Sequence, residues 1–551
     1  MLRKQVYLAS LTRKSFWAIL MFIPLSGLQT ASAQMATSAF KWKAIQSAPS
    51  VKMTTDSYED KVKAVWIAQI AGATMGFQFE HKTASTQWVD QYNQPLTSAN
   101  VDDDWYYEMI AIRAFEKYGI NMTVKQLGEQ WMRNSAGSWG SSEQARLLMA
   151  KGIMPPKSGN PRYNKLWFTI GPQFSADVYG ALAPGMPNVA GKLAREYCHI
   201  NGYAEGADGG VFVAGMVSLG FTETDSKVIV KKAAKLINPA SPYRQCLEMV
   251  IRLAEAGKNA TEIFNAVEDR WHIEYPATNN AVANGGIVAT SVWFGEGDFL
   301  KTVNLAFGAA DFTDADCNAA NAAAVTGAIH GMKGIPQNLV KPLGDRIKGE
   351  KMGRVVLTPP VDESISGLAH RTVAIGAKIL QNNGAKLIDH SLTIPIYEPV
   401  TQPAELFKLS DLTQFWNPDW TLKRAGFGGA GGGMGGIRGI TYLDSNVLVT
   451  YPRDEVRGLL LSRKVKLNAS QTLSFDVRAD AKRAWQLVVY VNNQKIKDQI
   501  IKGGENNAQW QSFRFDLSAY QGQTVTIRLY QRVLIDGQEA GNAYWRNLKI
   551  Q

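Results

Sequence analysis

The chain has 551 residues, more than one hydrophobic core usually serves, so two or three domains are expected. Its 45% hydrophobic and 19% charged residues exclude an intrinsically disordered protein. The formal charge of +11 is spread along the chain without a basic block, which argues against nucleic acid or a membrane surface as a partner.

Residues 1–33 read as a secretory signal peptide. Arg3, Lys4, Arg13 and Lys14 precede an apolar run from Phe16 to Leu28, and Ala31-Ser32-Ala33 fits the small-residue cleavage pattern. The mature form is then expected to begin near Gln34, to be periplasmic or secreted, and to carry +7, which is +11 less those four basic residues. Pro24, Ser26 and Gly27 interrupt the apolar run, so stable membrane insertion is not expected. Three cysteines cannot all pair within one chain; an oxidising compartment permits a Cys198–Cys246 disulfide without requiring it.

Residues 34–56 form a polar lead-in, and the pattern over 57–395 is mostly helical. Val62, Val65, Trp66, Ile70 and Ala73 make one apolar stripe; Met109, Ile110, Ile112 and Phe115 make another. Within this domain 135–187 reads as irregular, because Pro155, Pro156, Pro161, Pro172, Pro184 and Pro187 break helical pattern and suit covering loops. A linker is expected at 396–410. Over 411–551 short alternating β-branched and aromatic runs (447–449, 473–477, 485–491, 510–515, 525–530, 544–550) predict a β-sandwich. The glycine-rich stretch Gly426–Gly439 reads as a loop inserted into that sandwich, and it lacks the Lys-Ser/Thr ending of a phosphate-binding loop. The fold class is therefore multi-domain, all-α followed by all-β.

Two acidic clusters stand about two hundred residues apart: Asp102-Asp103-Asp104, and Asp314-Ala315-Asp316-Cys317-Asn318. Each opens a helical run. Adjacent carboxylates do not share a helix face, so such clusters suit a turn where side chains converge. Converging oxygens from distant segments suit a hard cation such as Mg²⁺, Ca²⁺ or Mn²⁺. Either cluster alone reads equally well as an N-cap favoured by the helix dipole.

Taken with Gly72-Ala73-Thr74-Met75-Gly76-Phe77-Gln78-Phe79-Glu80, the clusters resemble the ADP-ribosylglycohydrolase family over roughly 58–335. Val101-Asp102-Asp103-Asp104 is similar to the family's Thr-Asp-Asp-Thr, and 314–320 to its Asp-Thr-Asp-Thr/Cys run followed by Asn-Ala-Ala. The resemblance implies a helical bundle holding two divalent cations, Mg²⁺ or alternatively Mn²⁺, that bind a sugar's vicinal hydroxyls. It implies Asp102, Asp103, Asp104, Asp314, Asp316 and Cys317 as metal ligands, with Glu80 and Asp103 as catalytic groups. Gly72 and Gly76 are expected to allow close helix packing. Val101 stands where a family threonine ligand is expected and cannot coordinate; Cys317 stands for a second. Asp104 and Asp311 are the candidates to compensate.

The stretch Gly206–Ala214 resembles the family segment that contacts the distal part of ADP-ribose, which implies His199, Asn201, Asp208, Gly209 and Gly210 as substrate-binding. Ala207 and Phe212 replace polar residues there. The C-terminal region looks like a galactose-binding-like jelly roll, and Trp485, Phe513 and Trp545 read either as its core or as sugar-binding aromatics. The expected function is metal-dependent hydrolysis of a glycosidic bond, on an extracytoplasmic ribosyl or furanosyl glycoside or glycan. An ADP-ribosyl-protein hydrolase and a non-catalytic, metal-dependent sugar- or ADP-ribose-binding protein are the alternatives.

Overall fold

The computed structural model describes residues 49–429, 438–469, 471–505 and 509–551. The signal peptide, the cleavage site and the glycine-rich residues 430–437 lie outside the described residues.

Two long helices, Thr55–Gly76 and Ala315–His330, run through the centre of an all-helical body. Their contact is set by small residues. A Cβ on Gly72 would lie 2.7 Å from the Ala319 carbonyl oxygen, one on Gly76 2.7 Å from Asp316 Cα, and one on Gly327 2.6 Å from the Ala64 oxygen. Any side chain at these points would force the helices apart, as expected for Gly72 and Gly76. Both helices are buried almost all round, which is the pattern of a central rather than a surface helix. Helices Asp103–Tyr118, Glu205–Gly220 and Ala281–Gly295 pack around this pair. Among the described residues no helix is long and apolar enough to cross a membrane.

The helical body carries more strand than its sequence suggested. Ser50–Thr54 pairs antiparallel with Ser391–Pro395, joining the start of the body to its end. A hairpin of Arg346–Met352 and Val355–Ser364 turns at Gly353, whose φ of +55° a glycine adopts without strain. The proline-dense section is not irregular throughout: it contains helix Gly140–Ala150 and the short helices Gly171–Phe174 and Asp177–Ala181, and its last proline opens helix Pro187–Cys198. Pro187 opens its helix at the first turn, where a missing N–H costs nothing.

The C-terminal region is an all-β sandwich of two five-stranded antiparallel sheets. One runs Gln511–Asp516, Thr472–Ala479, Ala543–Ile550, Val447–Thr450, Tyr442–Asp444; the other runs Gln494–Lys502, Ala484–Val491, Thr524–Arg532, Leu459–Lys466, Thr421–Lys423. Trp485 and Trp545 meet between the sheets with ring centroids 5.1 Å apart and no exposure, so both are core. Phe513 is half-buried against Phe475. At the base of the glycine-rich loop Phe427 stacks on Tyr275 at 4.8 Å and meets Phe168 edge-on at 4.7 Å, tying sandwich to helices. The cysteines are all free and buried, so the Cys198–Cys246 bridge does not form. Cys198 instead packs its sulfur against the Pro172 carbonyl, at 3.4 Å.

Candidate metal centre

The glycine-to-backbone contact at Gly76 fixes where the first helix ends: directly over Asp316. Phe77 caps that helix, and the chain turns back through Glu80. The turn is pinned to the loop ahead of Asp314 by three bonds. His81 N donates to the Thr313 carbonyl (2.9 Å), Phe312 N to that of Lys82 (2.6 Å), and Ala84 N to Asp311 Oδ1 (2.8 Å). Asp311 is thus an exposed loop brace.

Asp102 is the N-cap of helix Asp103–Tyr118, its Oδ1 accepting from Asp104 N at 3.4 Å. Asp314 sits at the N-cap position of Ala315–His330 but accepts no capping bond from its helix. Its backbone N–H donates instead to Asn284 Oδ1 (3.3 Å), which also accepts from Asn318 Nδ2 (2.7 Å). Asn284 therefore fixes the helix start, and the Asp314 carboxyl turns to Asp316 and Cys317 instead of capping its helix. The N-cap reading thus holds for Asp102 and fails for Asp314.

The two clusters and the Glu80 turn converge. Potential ligand atoms of Asp102, Asp103 and Asp104 lie within 4.8 Å of one another, as do those of Asp104, Asp316 and Cys317, and those of Glu80, His81 and Asp314. Asp104 belongs to two of these groups and links the distant segments. Cys317 Sγ reaches Asp104 Oδ2 at 3.6 Å. Burial and the surrounding carboxylates push its thiol well up, so in the metal-free protein it is an S–H donor to Asp104 and not a thiolate ligand.

The carboxylates themselves are in an unfavourable state. Burial, then Asp316 and Asp102, push Glu80 up to about 8. Burial, then Asp102, push Asp316 up to about 6. Asp103, Asp104 and Asp314 are all raised well above the ordinary carboxylate range, first by burial and then by one another. Asp104 Oδ1 and Asp316 Oδ1 are buried without a hydrogen-bond partner. Buried carboxylates without counter-charge are costly, and oxygen donors at this spacing are what a hard divalent cation requires. The residues present fit such a group.

His81 was not singled out by its sequence. Its backbone adopts φ +52°, its Nδ1 lies 2.7 Å from Thr278 Oγ1, and its Nε2 lies 3.3 Å from Glu80 Oε1. Only its position beside Glu80 signals it. Val101 is buried against the Arg346–Ser364 hairpin, where a Cβ on Gly349 would lie 2.8 Å from its Cγ2.

The residues expected to bind substrate gather elsewhere, in a buried polar network. His199 Nε2 lies 2.7 Å from Glu405 Oε2; Asn201 Nδ2 donates to Ser142 Oγ at 2.9 Å. Asp208 accepts from Arg195 and, at 2.5 Å, from Ser241 Oγ. Gly209 leaves room for Gln173, and Gly210 for Cys198. Ala207 and Phe212 are fully buried on the same helix. None of these contacts involves the acidic clusters.

A helical body that opens two of its helices and one turn onto six carboxylates forms an acidic centre that could hold a divalent cation. The sequence model of the ADP-ribosylglycohydrolase family matches residues 54–373, more than half of the chain, and the chain belongs to that family. Membership supports a glycohydrolase type of activity. A solved ADP-ribosylglycohydrolase-related protein complex is similar over 58% of this chain and 99% of its own, at 15% identity and a TM-score of 0.39. Over the sandwich, a family 35 carbohydrate binding module from Clostridium thermocellum is similar at 18% identity, covering 24% of this chain and 93% of its own, with a TM-score of 0.17. A second family 35 module, from an environmental isolate, is similar at 19% identity over 17% of this chain and 69% of its own, with a TM-score of 0.13. No curated protein matches the chain.

Proposed function

We propose that the protein is an exported, divalent-metal-dependent hydrolase that cleaves the glycosidic bond of a furanosyl glycoside or glycan. The observation that carries this reading is the convergence of Glu80 with two acidic clusters whose Asp104 and Asp316 each leave a buried oxygen unpartnered. Asp102, Asp103 and Asp104 would hold cations from one side, and Asp314 and Asp316 from the other. When bound, two such ions, Mg²⁺ or Mn²⁺, supply charge that grips a sugar diol and acidifies water.

The chain's own residues supply the proton handling. Glu80 is half-buried at the edge of the cluster, and burial raises its carboxyl above the ordinary range, which suits a group that gives and takes a proton. His81 Nε2 faces Glu80 Oε1, while Thr278 holds the other ring nitrogen and fixes the ring. Asp103 is ringed by Asp102, Asp314 and Asp316; ionised beside a cation, it would orient the attacking water.

The preference for a glycoside over an ADP-ribosylated protein rests on three arginines, Arg195, Arg146 and Arg162, that are already engaged. A diphosphate calls for a free arginine or lysine. Arg195 is bound to Asp208 and faces Glu405 Oε1 at 3.5 Å. Arg146 donates to the Trp131 and Asn134 carbonyls, and Arg162 to that of Ser445. A panel of 4-nitrophenyl furanosides and ADP-ribosyl peptides, assayed with Mn²⁺ and with EDTA, tests the reading. Metal-dependent turnover is expected to be strongest on a furanoside. Tight, metal-dependent ADP-ribose binding with no furanoside turnover would reassign the substrate to a nucleotide. Export is tested by N-terminal sequencing of the mature form, which is expected to begin near Gln34.

A further inference from the structure

A cavity lies on the sandwich, lined by Phe415, Trp416, Asn417, Ser445, Asn446, Asn547 and Leu548, with a volume of about 220 Å³. Nothing in the proposed hydrolysis uses it. Three separate pieces of chain build it: the short helix Leu412–Trp416, the turn after Tyr442–Asp444, and the last strand, Ala543–Ile550.

One irregularity of the last strand lies at this cavity. Along the last strand Ser474 pairs with Lys549 but Asp476 pairs with Arg546, so Asn547 and Leu548 together face one residue. This is a β-bulge, a device that re-aims a side chain out of a regular ladder. Asn547 sits at its centre with φ +55°, and Ser445 across the cavity also has φ +55°. Ser445 stands in the two-residue turn between Tyr442–Asp444 and Val447–Thr450, where a positive φ is the usual hairpin geometry, and asparagine adopts that region readily.

The side chains then leave hydrogen-bonding groups free. Asn547 Nδ2 donates to Asp476 Oδ2 (2.7 Å) and Asn417 Nδ2 to the Leu548 carbonyl (2.8 Å), which holds both amides in place and leaves both Oδ1 atoms open. Among the described residues the side chains of Asn446 and Ser445 have no partner at all, while their carbonyls are held by Trp416 Nε1 (3.1 Å) and Arg162 (3.1 Å). Beside these amides Phe415 is 48% exposed, its ring lying near-parallel to that of Phe407 with centroids 6.4 Å apart. No ionisable residue lines the cavity.

We infer that this cavity is a binding subsite for one uncharged sugar residue, separate from the carboxylate centre. A sugar ring has an apolar face that packs on an aromatic ring and hydroxyls that both give and accept hydrogen bonds, which amides match on both counts. The neutral lining disfavours uronates and phosphates. The volume falls below the roughly 300–1,000 Å³ of pockets for drug-sized ligands, so one ring fills it. The subsite would tether a glycan beside the helical body, since Arg162 of that body holds its rim.

Calorimetry and saturation-transfer NMR on the full chain test this, using a panel of neutral mono- and oligosaccharides together with glucuronate. At least one neutral sugar is expected to bind, equally in Mn²⁺ and in EDTA. Phe415→Ala should weaken it about fivefold to tenfold, and Asn446→Ala comparably. Both residues are at the surface, and unchanged melting temperatures would show that the fold is kept. Absence of binding across the panel, binding abolished by EDTA, binding unmoved by both substitutions, or preference for glucuronate would each overturn the inference. None of these outcomes depends on turnover, so the hydrolase reading stands or falls separately.

Discussion

Asp316→Asn should change the sign of its effect on stability when metal is added. Asp316 is fully buried, one of its oxygens has no partner, and its pKa is raised to about 6. A carboxyl raised in the folded state stabilises below its unfolded value and loses that contribution as pH rises through its folded value. Above pH 7 the metal-free protein therefore carries a penalty from this residue. The displacement of roughly two units, at about 1.4 kcal/mol each, makes it about 3 kcal/mol. Asparagine keeps the shape and still accepts from the backbone N–H groups of Asp316 and Cys317, but it removes the charge. In EDTA at pH 7.5 the variant should thus be more stable than wild type. At a Mn²⁺ concentration one hundred times the dissociation constant, wild type should gain about 2.7 kcal/mol per ion bound. The variant should gain far less and become the weaker protein. Urea unfolding in the two buffers measures both differences. Equal stabilisation of the two proteins by Mn²⁺, or a variant less stable than wild type in EDTA, would refute the reasoning.

Glu80→Gln should lower kcat by roughly a hundredfold or more, the typical worth of a general acid or base, while the Asp102–Asp104 and Asp314–Asp316 carboxylates still bind Mn²⁺; steady-state kinetics and calorimetry check both halves. Glu205 and Glu108 lie outside the carboxylate centre, and burial raises each to about 8. Stability should therefore fall as pH rises from about 4.3, the ordinary glutamate value, to about 8, and denaturation across that range, with Mn²⁺ held saturating, measures the slope. Phe312, 55% exposed with φ +58°, stands on the loop braced against Lys82, two residues before Asp314. Phe312→Gly should raise stability by roughly 1 kcal/mol through relief of strain, which urea unfolding of the two proteins measures.

The carboxylate centre was legible because its residues are contiguous: Asp102-Asp103-Asp104 and Asp314-Ala315-Asp316 announce themselves wherever the chain takes them. The glycines at 72 and 76 were legible for the same reason, since helix spacing alone says that they share a face. His81 was not, because its role comes from a positive φ and from Thr278, nearly two hundred residues away. The hairpin 346–364 was hidden by Pro359 and Pro360 and by charged residues at its exposed positions, which weaken strand alternation. Strands Leu459–Lys466 and Gln494–Lys502 escaped notice because lysine, arginine and glutamine occupy their outward positions. The bulge at Asn547 is invisible in sequence, since register is a property of two strands together.

The most direct test of the central claim is the location of bound metal. Crystals grown with Mn²⁺ and measured for anomalous scattering should show two peaks, both enclosed by Asp102, Asp103, Asp104, Asp314 and Asp316. Peaks elsewhere on the surface, or a carboxylate cluster free of metal at saturating Mn²⁺, would contradict the account.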